Sequence, residues 1–436
     1  MFLPENALYC IQRLEDAGFA CYAVGGCVRD ALLGLQPHDY DLCTAATPAQ
    51  IAELFAHHNQ VHAGEKHGTI GVIFGKEVLE ITTFRTEGDY TDSRHPGWVA
   101  FVGDVEADLA RRDFTINAMA YSPTRGYADP FGGRADLQQG ILRAVGDPRQ
   151  RFTEDALRIL RGVRFAVKYG LQTEASTLSE MKDLAHRLHN IASERVFDEL
   201  CKLLPLVSGE DLVTYAPILA EVIPQLQPCI GFDQRNHHHV HDIFTHMAHA
   251  VEAVPADLTL RWAALLHDVA KPACFTVDEA GCGHFYGHAA ESARMADAIL
   301  RQLKAPTALR EDVVFLIEKH MTPLEADVKL LRRRLSQYGL PRTRMLLALQ
   351  LADTIATGVP HPMPYEQIGQ MLEDILAEEA CLSLKDLAVN GRDLMALGYT
   401  GPAIGKALQS LLEQVLDEQL PNEKAALLQA LQGDER

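Results

Sequence analysis

Short apolar runs bounded by glycine, proline and aspartate dominate the first 145 residues: Cys21–Val24, Tyr40–Cys43, Thr69–Phe74, Val78–Thr82 and Trp98–Val102. Such runs predict strands, so this part reads as mixed α/β. After Asp147-Pro148 the period lengthens. Leu157, Leu160, Val163 and Val167 recur at helical spacing, which predicts one helix over Thr153–Tyr169 with Thr153 as its N-cap. Helical patterns continue to the end, broken near Pro205, Pro224–Pro228, Pro255, Pro306, Pro341 and Pro360–Pro364. There is no fixed-period repeat and no low-complexity segment. The pattern predicts a small α/β head on a long helical body.

Composition narrows the class. A chain of 436 residues exceeds one ordinary core, so several domains are expected. Apolar residues at 47% and charged residues at 23% exclude a disordered or fibrous protein. No apolar run approaches the roughly 18 residues of a membrane span, and Met1–Asn6 carries no basic segment ahead of an apolar one, so a cytoplasmic protein is expected. The nine cysteines are odd in number and form no C-x-x-C, which predicts reduced thiols. A net charge of −19 argues against nonspecific coating of nucleic acid, but it is unevenly spread. Seven basic residues stand against three acids between Arg143 and Lys168, and five against thirteen from Glu366 to Arg436. A basic middle beside an acidic tail suits a local polyanion site.

The run Ala23–Leu42, A-V-G-G-C-V-R-D-A-L-L-G-L-Q-P-H-D-Y-D-L, carries the first chemistry. Val24 ends a strand, Gly25-Gly26 lets backbone N–H groups approach a ligand, and a helix follows, a combination that suits phosphate. In a strand, Asp39 and Asp41 point the same way, and two aligned carboxylates suit Mg²⁺ bridging a nucleoside triphosphate.

The run G-G-x-V-R-D-x-L-L-G…D-x-D resembles the head of the polymerase-β-like nucleotidyltransferases, in particular the bacterial class II tRNA nucleotidyltransferases and poly(A) polymerases. Gly88–Ala120, with Y-T-D-S-R-H-P and R-R-D-F-T-I-N-A-M-A, is similar to that family's flexible loop and ribose motif. Asp129–Leu137 resembles its hinge, and Glu154–Arg164, E-D-A-L-R-I-L-R-G-V-R, its nucleobase-selecting helix. The resemblance implies metal binding by Asp39 and Asp41, and triphosphate binding by Gly25, Gly26 and Arg29. It implies Arg112 on phosphate or sugar oxygens, and Asp113 and Asn117 on ribose hydroxyls. Asp155, Arg158, Arg161 and Arg164 recur every three residues as a slowly rotating stripe, with Asp155 and Arg158 suited to read cytosine and adenine edges.

A second constellation lies in the body. Asn236–Ala250, N-H-H-H-V-H-D-I-F-T-H-M-A-H-A, precedes His267-Asp268, with His284, His288, His320 and Asp353 farther on. Imidazole with carboxylate suits Zn, Mn, Fe, Ni or Mg. The set resembles the HD phosphohydrolase superfamily, which implies His246, His267, Asp268 and Asp353 as ligands, with His288 and His320 as candidates for a second ion. His241 and His249 are alternatives to His246. The last segment resembles the family's tRNA-elbow-contacting tail, where Val389–Gly391 and Gly405-Lys406 suit phosphate or plain helix capping; Arg332–Arg334, Arg342 and Arg344 are further basic candidates or a solvated face.

The expected architecture is α+β: a nucleotidyltransferase head (1–142), a helical neck (143–227), an HD domain (228–365) and a helical tail (366–436). The expected activity is template-independent addition and repair of the tRNA 3′-terminal C-C-A from CTP and ATP. The alternatives are an A-adding-only enzyme, a poly(A) polymerase, and an HD-type nucleotide or RNA phosphohydrolase with a silent head.

Overall fold

The computed structural model describes residues 3–88, 99–236, 240–359, 364–378 and 380–433. The expected flexible loop Tyr90–Pro96, Trp98, the histidines at 237–239 and the breaks at 360–363 lie outside the described residues. The chain forms two compact units, one of residues 1–207 with 214–224, the other of 208–213 with 225–436.

In the first unit the strands are β1 (Cys21–Val24), β2 (Asp41–Thr44), β3 (Gln60–Val61), β4 (Thr69–Phe74), β5 (Glu77–Thr83), β6 (Arg85–Glu87), β7 (Val99–Phe101), β8 (Ala120–Ser122), β9 (Gly126–Ala128) and a short parallel pair, β10 (Ile141–Leu142) with β11 (Gln172–Thr173). Seven build one sheet in the order β3-β4-β5-β2-β1-β8-β9, and β6 pairs with β7. Neighbours in the large sheet are antiparallel except β2 and β5, which run parallel. The pleat sorts the core. Cys21, Ala23 and Leu42 join a cluster with Ile11, Leu14, Ile51, Phe55 and Ile81, while Val24 and Cys43 join one with Phe84, Leu109, Ala118 and Val145 on the other face. Helix Glu5–Asp16 covers the first face because Ala7, Cys10, Ile11 and Leu14 form a single apolar stripe.

The predicted helix over Thr153–Tyr169 is two helices. Pro148–Glu154 starts at Asp147, whose side chain accepts from Arg149 N–H at 3.0 Å, so Thr153 lies inside this helix and caps nothing. Asp155 then turns extended (φ −139°, ψ 104°), and its Oδ1 accepts from Leu157 N–H at 3.0 Å to open the second helix, Leu157–Tyr169. A side chain that bonds backbone two residues on competes with helix continuation. The break frees Asp155 from the helical stripe.

The second unit is helical apart from a short hairpin of Thr276–Val277 with Gly283–His284. Helices Ile243–Ala253 and Leu258–Leu266 start at aspartate caps, Asp242 accepting from Phe244 and Thr245 N–H and Asp257 from Leu260 N–H. Trp262, Leu266, Val251 and Phe244 are fully buried. The last helices, Gly391–Ala396, Pro402–Leu416 and Lys424–Gly433, close a separate apolar cluster around Leu394, Leu411 and Leu427. Asn390 and Asp393 form a capping box at the 390–391 turn, so that turn is capping. Arg332 and Arg333 are spent on Glu378, Glu418 and Asp417. No disulfide joins the nine cysteines. Among the described residues no helix is long and apolar enough to cross a membrane.

Candidate functional site

In the first unit, a cavity of about 450 Å³ opens beside the end of β1. Six arginines line it (Arg29, Arg111, Arg112, Arg158, Arg161, Arg195) against three aspartates (Asp41, Asp113, Asp155). That surplus suits a polyanion, and the volume suits one nucleotide. Gly25, Gly26 and Asn117 complete the polar wall, with Leu157 and Phe165 as its apolar part. The helix behind the glycines, Gly26–Leu32, has only seven residues, so guanidinium groups rather than a long helix dipole supply the positive field. Gly25 has φ 76°, and a Cβ there would stand 2.8 Å from Arg112 Nη1. The glycine lets this arginine lie against the backbone.

A continuous hydrogen-bonded ladder fixes the wall. Arg161 donates from Nε and Nη2 to Asp113 Oδ2 at 2.9 and 2.7 Å. Asp113 Oδ1 accepts from Asn117 Nδ2 at 3.0 Å and Phe114 N–H at 2.9 Å. Asn117 Oδ1 accepts from Arg29 Nη1. Arg29 pairs with Asp30, stacks on Tyr169 at 4.4 Å, and Tyr169 donates back to Asp30 at 3.1 Å. Burial alone would raise the Asp113 carboxyl, but Arg161 and Asn117 hold it down at about 2. Arg161 moves the opposite way for the same reason, pushed up by Asp113. The ladder ties the strand end and its helix to Leu157–Tyr169, so the cavity is organised before a ligand enters.

The expected stripe does not stay on one face. Arg158 and Arg161 line the cavity, but Arg164 does not; its Nε donates to Glu199 at 2.6 Å. Six residues beyond Arg158 turn a helix by about 240°, which carries Arg164 off the cavity face. Arg158 is nearly buried and donates to Glu154 at 2.8 Å, Arg151 C=O at 3.1 Å and Arg111 C=O at 2.9 Å. Three of its five N–H groups are thus spent on protein.

The predicted carboxylate pair is also divided. β2 begins at Asp41, so Asp39 precedes the strand rather than lying in it. Asp41 lines the nucleotide-sized cavity, whereas Asp39 lines not this one but an adjoining one of about 1080 Å³, which Asp41 shares. Glu80 enters that second cavity too, from β5, whose register beside β2 (Leu42 opposite Ile81) sets Glu80 near Asp41. Sequence reading missed Glu80, because nothing local announces a parallel pairing. Burial, then Glu80, push the Asp41 carboxyl up, while Arg112 lowers it. Crowded carboxylates of one sign make a donor set that a divalent cation relieves.

In the second unit, four groups meet. His246 Nε2 lies 2.9 Å from Asp353 Oδ1, 3.4 Å from Asp268 Oδ2 and 3.2 Å from His267 Nε2. His241 and His249 instead pair with each other, ring centres 4.7 Å apart. On the other side of Asp268, Oδ1 lies 3.3 Å from His288 Nε2 and 3.9 Å from His320 Nε2. Asp268 is therefore common to two donor sets, one with His246, His267 and Asp353, the other with His288 and His320. Its oxygens are buried without a well-directed hydrogen bond, although Lys271 Nζ approaches Oδ2 at 2.7 Å. Lys271 is a second group that sequence reading passed over.

The backbone sets the rings. Nδ1 of His267, His288 and His320 faces the carbonyl three residues back, at 2.8, 2.7 and 2.6 Å. A ring nitrogen facing a carbonyl carries the proton, so each ring, when neutral, turns an Nε2 lone pair inward. His288 Nε2 and His320 Nε2 then face each other at 3.3 Å with nothing to share unless a cation or proton lies between them. Burial opposes charge on His267, but Asp268 and Asp353 overcome it and push the ring up to about 10. The acids draw positive charge into the cluster, which a divalent ion would supply in place of protons. The donor sets fit metal. A third, more exposed grouping, Asp278 with Cys282 and His284, is closed by its own hydrogen bonds.

Comparison with known proteins covers the whole chain. The "Poly A polymerase head domain" matches residues 21–143, "Probable RNA and SrmB- binding site of polymerase A" residues 170–209, and "tRNA nucleotidyltransferase domain 2" residues 286–431. The CCA-adding enzyme of Limosilactobacillus fermentum is 34% identical over 427 residues, spanning 98% of this chain and 96% of that protein. That of Pediococcus pentosaceus is 31% identical over 441 residues, spanning 98% and 97%. Among solved structures, the Bacillus stearothermophilus CCA-adding enzyme in complex with CTP superposes with TM-score 0.74 at 28% identity, covering 100% of this chain and 99% of that one. The Thermotoga maritima enzyme complexed with tRNA shares the fold, with TM-score 0.62 at 20% identity, covering 99% and 95%.

Proposed function

The chain belongs to the family of CCA-adding enzymes, and we infer from that premise that it adds and repairs the 3′-terminal C-C-A of tRNA without a nucleic-acid template. Its substrates are CTP, ATP and the tRNA 3′ end. The observation that carries this reading is the cavity that joins Gly25-Gly26, Asp41, six arginines and Asp155 within one unit.

The RNA 3′-hydroxyl gives up its proton to solvent, its oxygen forms a bond to the α-phosphorus as the bond to the α–β bridging oxygen breaks, and pyrophosphate leaves. Asp39 and Asp41, with Glu80 beside them, would hold divalent metal, in our reading Mg²⁺, which when bound favours the attacking alkoxide and offsets charge at the phosphorus. Arg29 and Arg112 donate to triphosphate oxygens, supported by the ladder and the Gly25 contact. Asn117 keeps donor and acceptor capacity for a ribose hydroxyl, whereas Asp113, which already accepts four hydrogen bonds, holds Arg161 and Asn117 in place. Asp155 accepts from the amino group that cytosine and adenine share, and Arg158 donates to their ring acceptors after exchanging a protein contact. The side chains, not a nucleic acid, act as template. The place of action is the cytoplasm.

For the second unit we propose an HD domain over 228–365 acting as a metal-dependent phosphohydrolase. His246, His267, Asp268 and Asp353 would hold one ion, with His288, His320 and Asp268 a second. The imidazole-rich donors favour Ni, Mn, Zn or Fe over Mg, and bound metal supplies an activated water. Lys271 holds Asp268 and offsets charge on a phosphate.

Asp41→Ala tests both halves together. Incorporation of labelled CTP and ATP should vanish while phosphohydrolase activity with added metal remains. Retained incorporation would remove Asp41 from the reaction.

A further inference from the structure

Arg195 has no place in the roles above, yet it reaches the cavity from helix Ser193–Leu203. Its Nη2 donates to Asp155 Oδ2 at 3.1 Å, and the two side chains are only 28% and 17% exposed. The other oxygen, Oδ1, is already held by Leu157 N–H. Asp155 is thus gripped at both oxygens, by the start of one helix and by a guanidinium from another. A carboxylate has about four acceptor positions, so two remain, and their direction is fixed. Arg195 Nη1 is buried and, among the described residues, has no hydrogen-bond partner.

We propose that Arg195 is the positioning residue for nucleobase choice, aiming the Asp155 carboxylate so that it accepts only from a base whose pyrimidine C4 or purine C6 carries an amino group. The proposal rests on Asp155 reading the base. Cytosine N4 and adenine N6 donate; uracil O4 and guanine O6 accept and would meet a carboxylate oxygen lone pair to lone pair. A carboxylate free to rotate could turn away from such an oxygen, and one held at both ends cannot. Discrimination against UTP and GTP then depends on a residue that need not touch the base.

The same helix supplies an internal control. Glu199, one turn beyond Arg195, ties the same two helices together through Arg164 at 2.6 Å but lies outside the cavity wall. The experiment compares Arg195→Ala, Arg195→Lys, Glu199→Gln, Asp155→Ala and the Arg195→Ala/Asp155→Ala double variant. It reads kcat/KM for CTP against UTP and ATP against GTP on tRNA transcripts, with thermal unfolding alongside. Arg195→Ala should shrink both ratios by about 10- to 100-fold, with partial rescue by Arg195→Lys. Glu199→Gln should lower Tm without moving either ratio. The double variant should discriminate no worse than Asp155→Ala alone. Unchanged ratios in Arg195→Ala, or ratios that fall equally in Glu199→Gln, would overturn the proposal. If Asp155→Ala itself kept full discrimination, the underlying reading of Asp155 would fail; if only Arg195→Ala kept it, the fault would lie with Arg195. If Arg195→Ala does not fold, Arg195→Lys decides: ratios equal to wild type would overturn the proposal, and an intermediate loss would support it.

Discussion

Replacing Gly25 by alanine should damage stability and nucleotide affinity through two separable causes. The backbone there has φ 76° and ψ −126°, a region that costs a residue with a Cβ about 1–3 kcal/mol. In a unit of this size each kcal/mol lowers Tm by roughly 2–4 °C, so the fall should be about 2–12 °C. The second cause is contact: the new Cβ would stand 2.8 Å from Arg112 Nη1, closer than carbon and nitrogen tolerate. Arg112 must swing off the backbone, and losing one charge-assisted bond to phosphate, worth about 1.5–3 kcal/mol, should raise KM for CTP and ATP alike by about 10- to 100-fold. Gly75→Ala isolates the first cause, because Gly75 also has positive φ (63°) but no atom within 4 Å of a built Cβ. It should lose stability and keep both KM values. The assay is steady-state incorporation with each nucleotide in turn, with thermal unfolding of both variants. A Gly25→Ala enzyme with normal KM values would refute the role given to Arg112, and a change for one nucleotide only would make Arg112 a base contact.

The Asp113 carboxyl sits at about 2 against an ordinary 3.8, so it stabilises the fold above pH 4 and loses that contribution as pH falls toward 2. The contribution is about 2 kcal/mol, and Asp113→Asn should lose it at neutral pH and flatten acid unfolding over that window; an unchanged acid transition would mean the pair with Arg161 adds nothing. Arg158→Ala should blur the choice between bases more than it weakens triphosphate binding, checked by misincorporation against KM, and unchanged fidelity would remove it as a base reader. His267→Ala should lose metal from the second unit by elemental analysis while C-C-A addition persists; unaltered metal content would remove His267 as a ligand.

The nucleotide cavity was legible because its chemistry is locally encoded. Gly25, Gly26, Arg29, Arg112, Asp113, Asn117, Asp155, Arg158 and Arg161 all stand in motifs whose residue types state their task, and all line one cavity. The strands Cys21–Val24 and Thr69–Phe74 match their apolar runs. Where side chain competes with backbone, periodicity misled: Asp155 breaks a helix that its neighbours would continue, and the stripe that should have carried Arg164 rotates away from the ligand. Strands β8 and β9 escaped notice because Ala120–Ser122 and Gly126–Ala128 are too short to show alternation. Glu80 and Arg195 were invisible for another reason. Their roles come from register and helix packing between distant segments, which no local spacing records. Position within the helix favours His246 over His241 and His249, and in the fold it is His246 that lies beside Asp353 and Asp268.

The most direct test is incorporation of labelled CTP and ATP, singly and together, on tRNA transcripts ending before C-C-A, after the first C, and after C-C. A C-C-A enzyme uses CTP on the first two, ATP on the third, and stops. Repeated addition of ATP to any 3′ end, a single ATP accepted on the C-C end with no use of CTP, or no incorporation at all would contradict it.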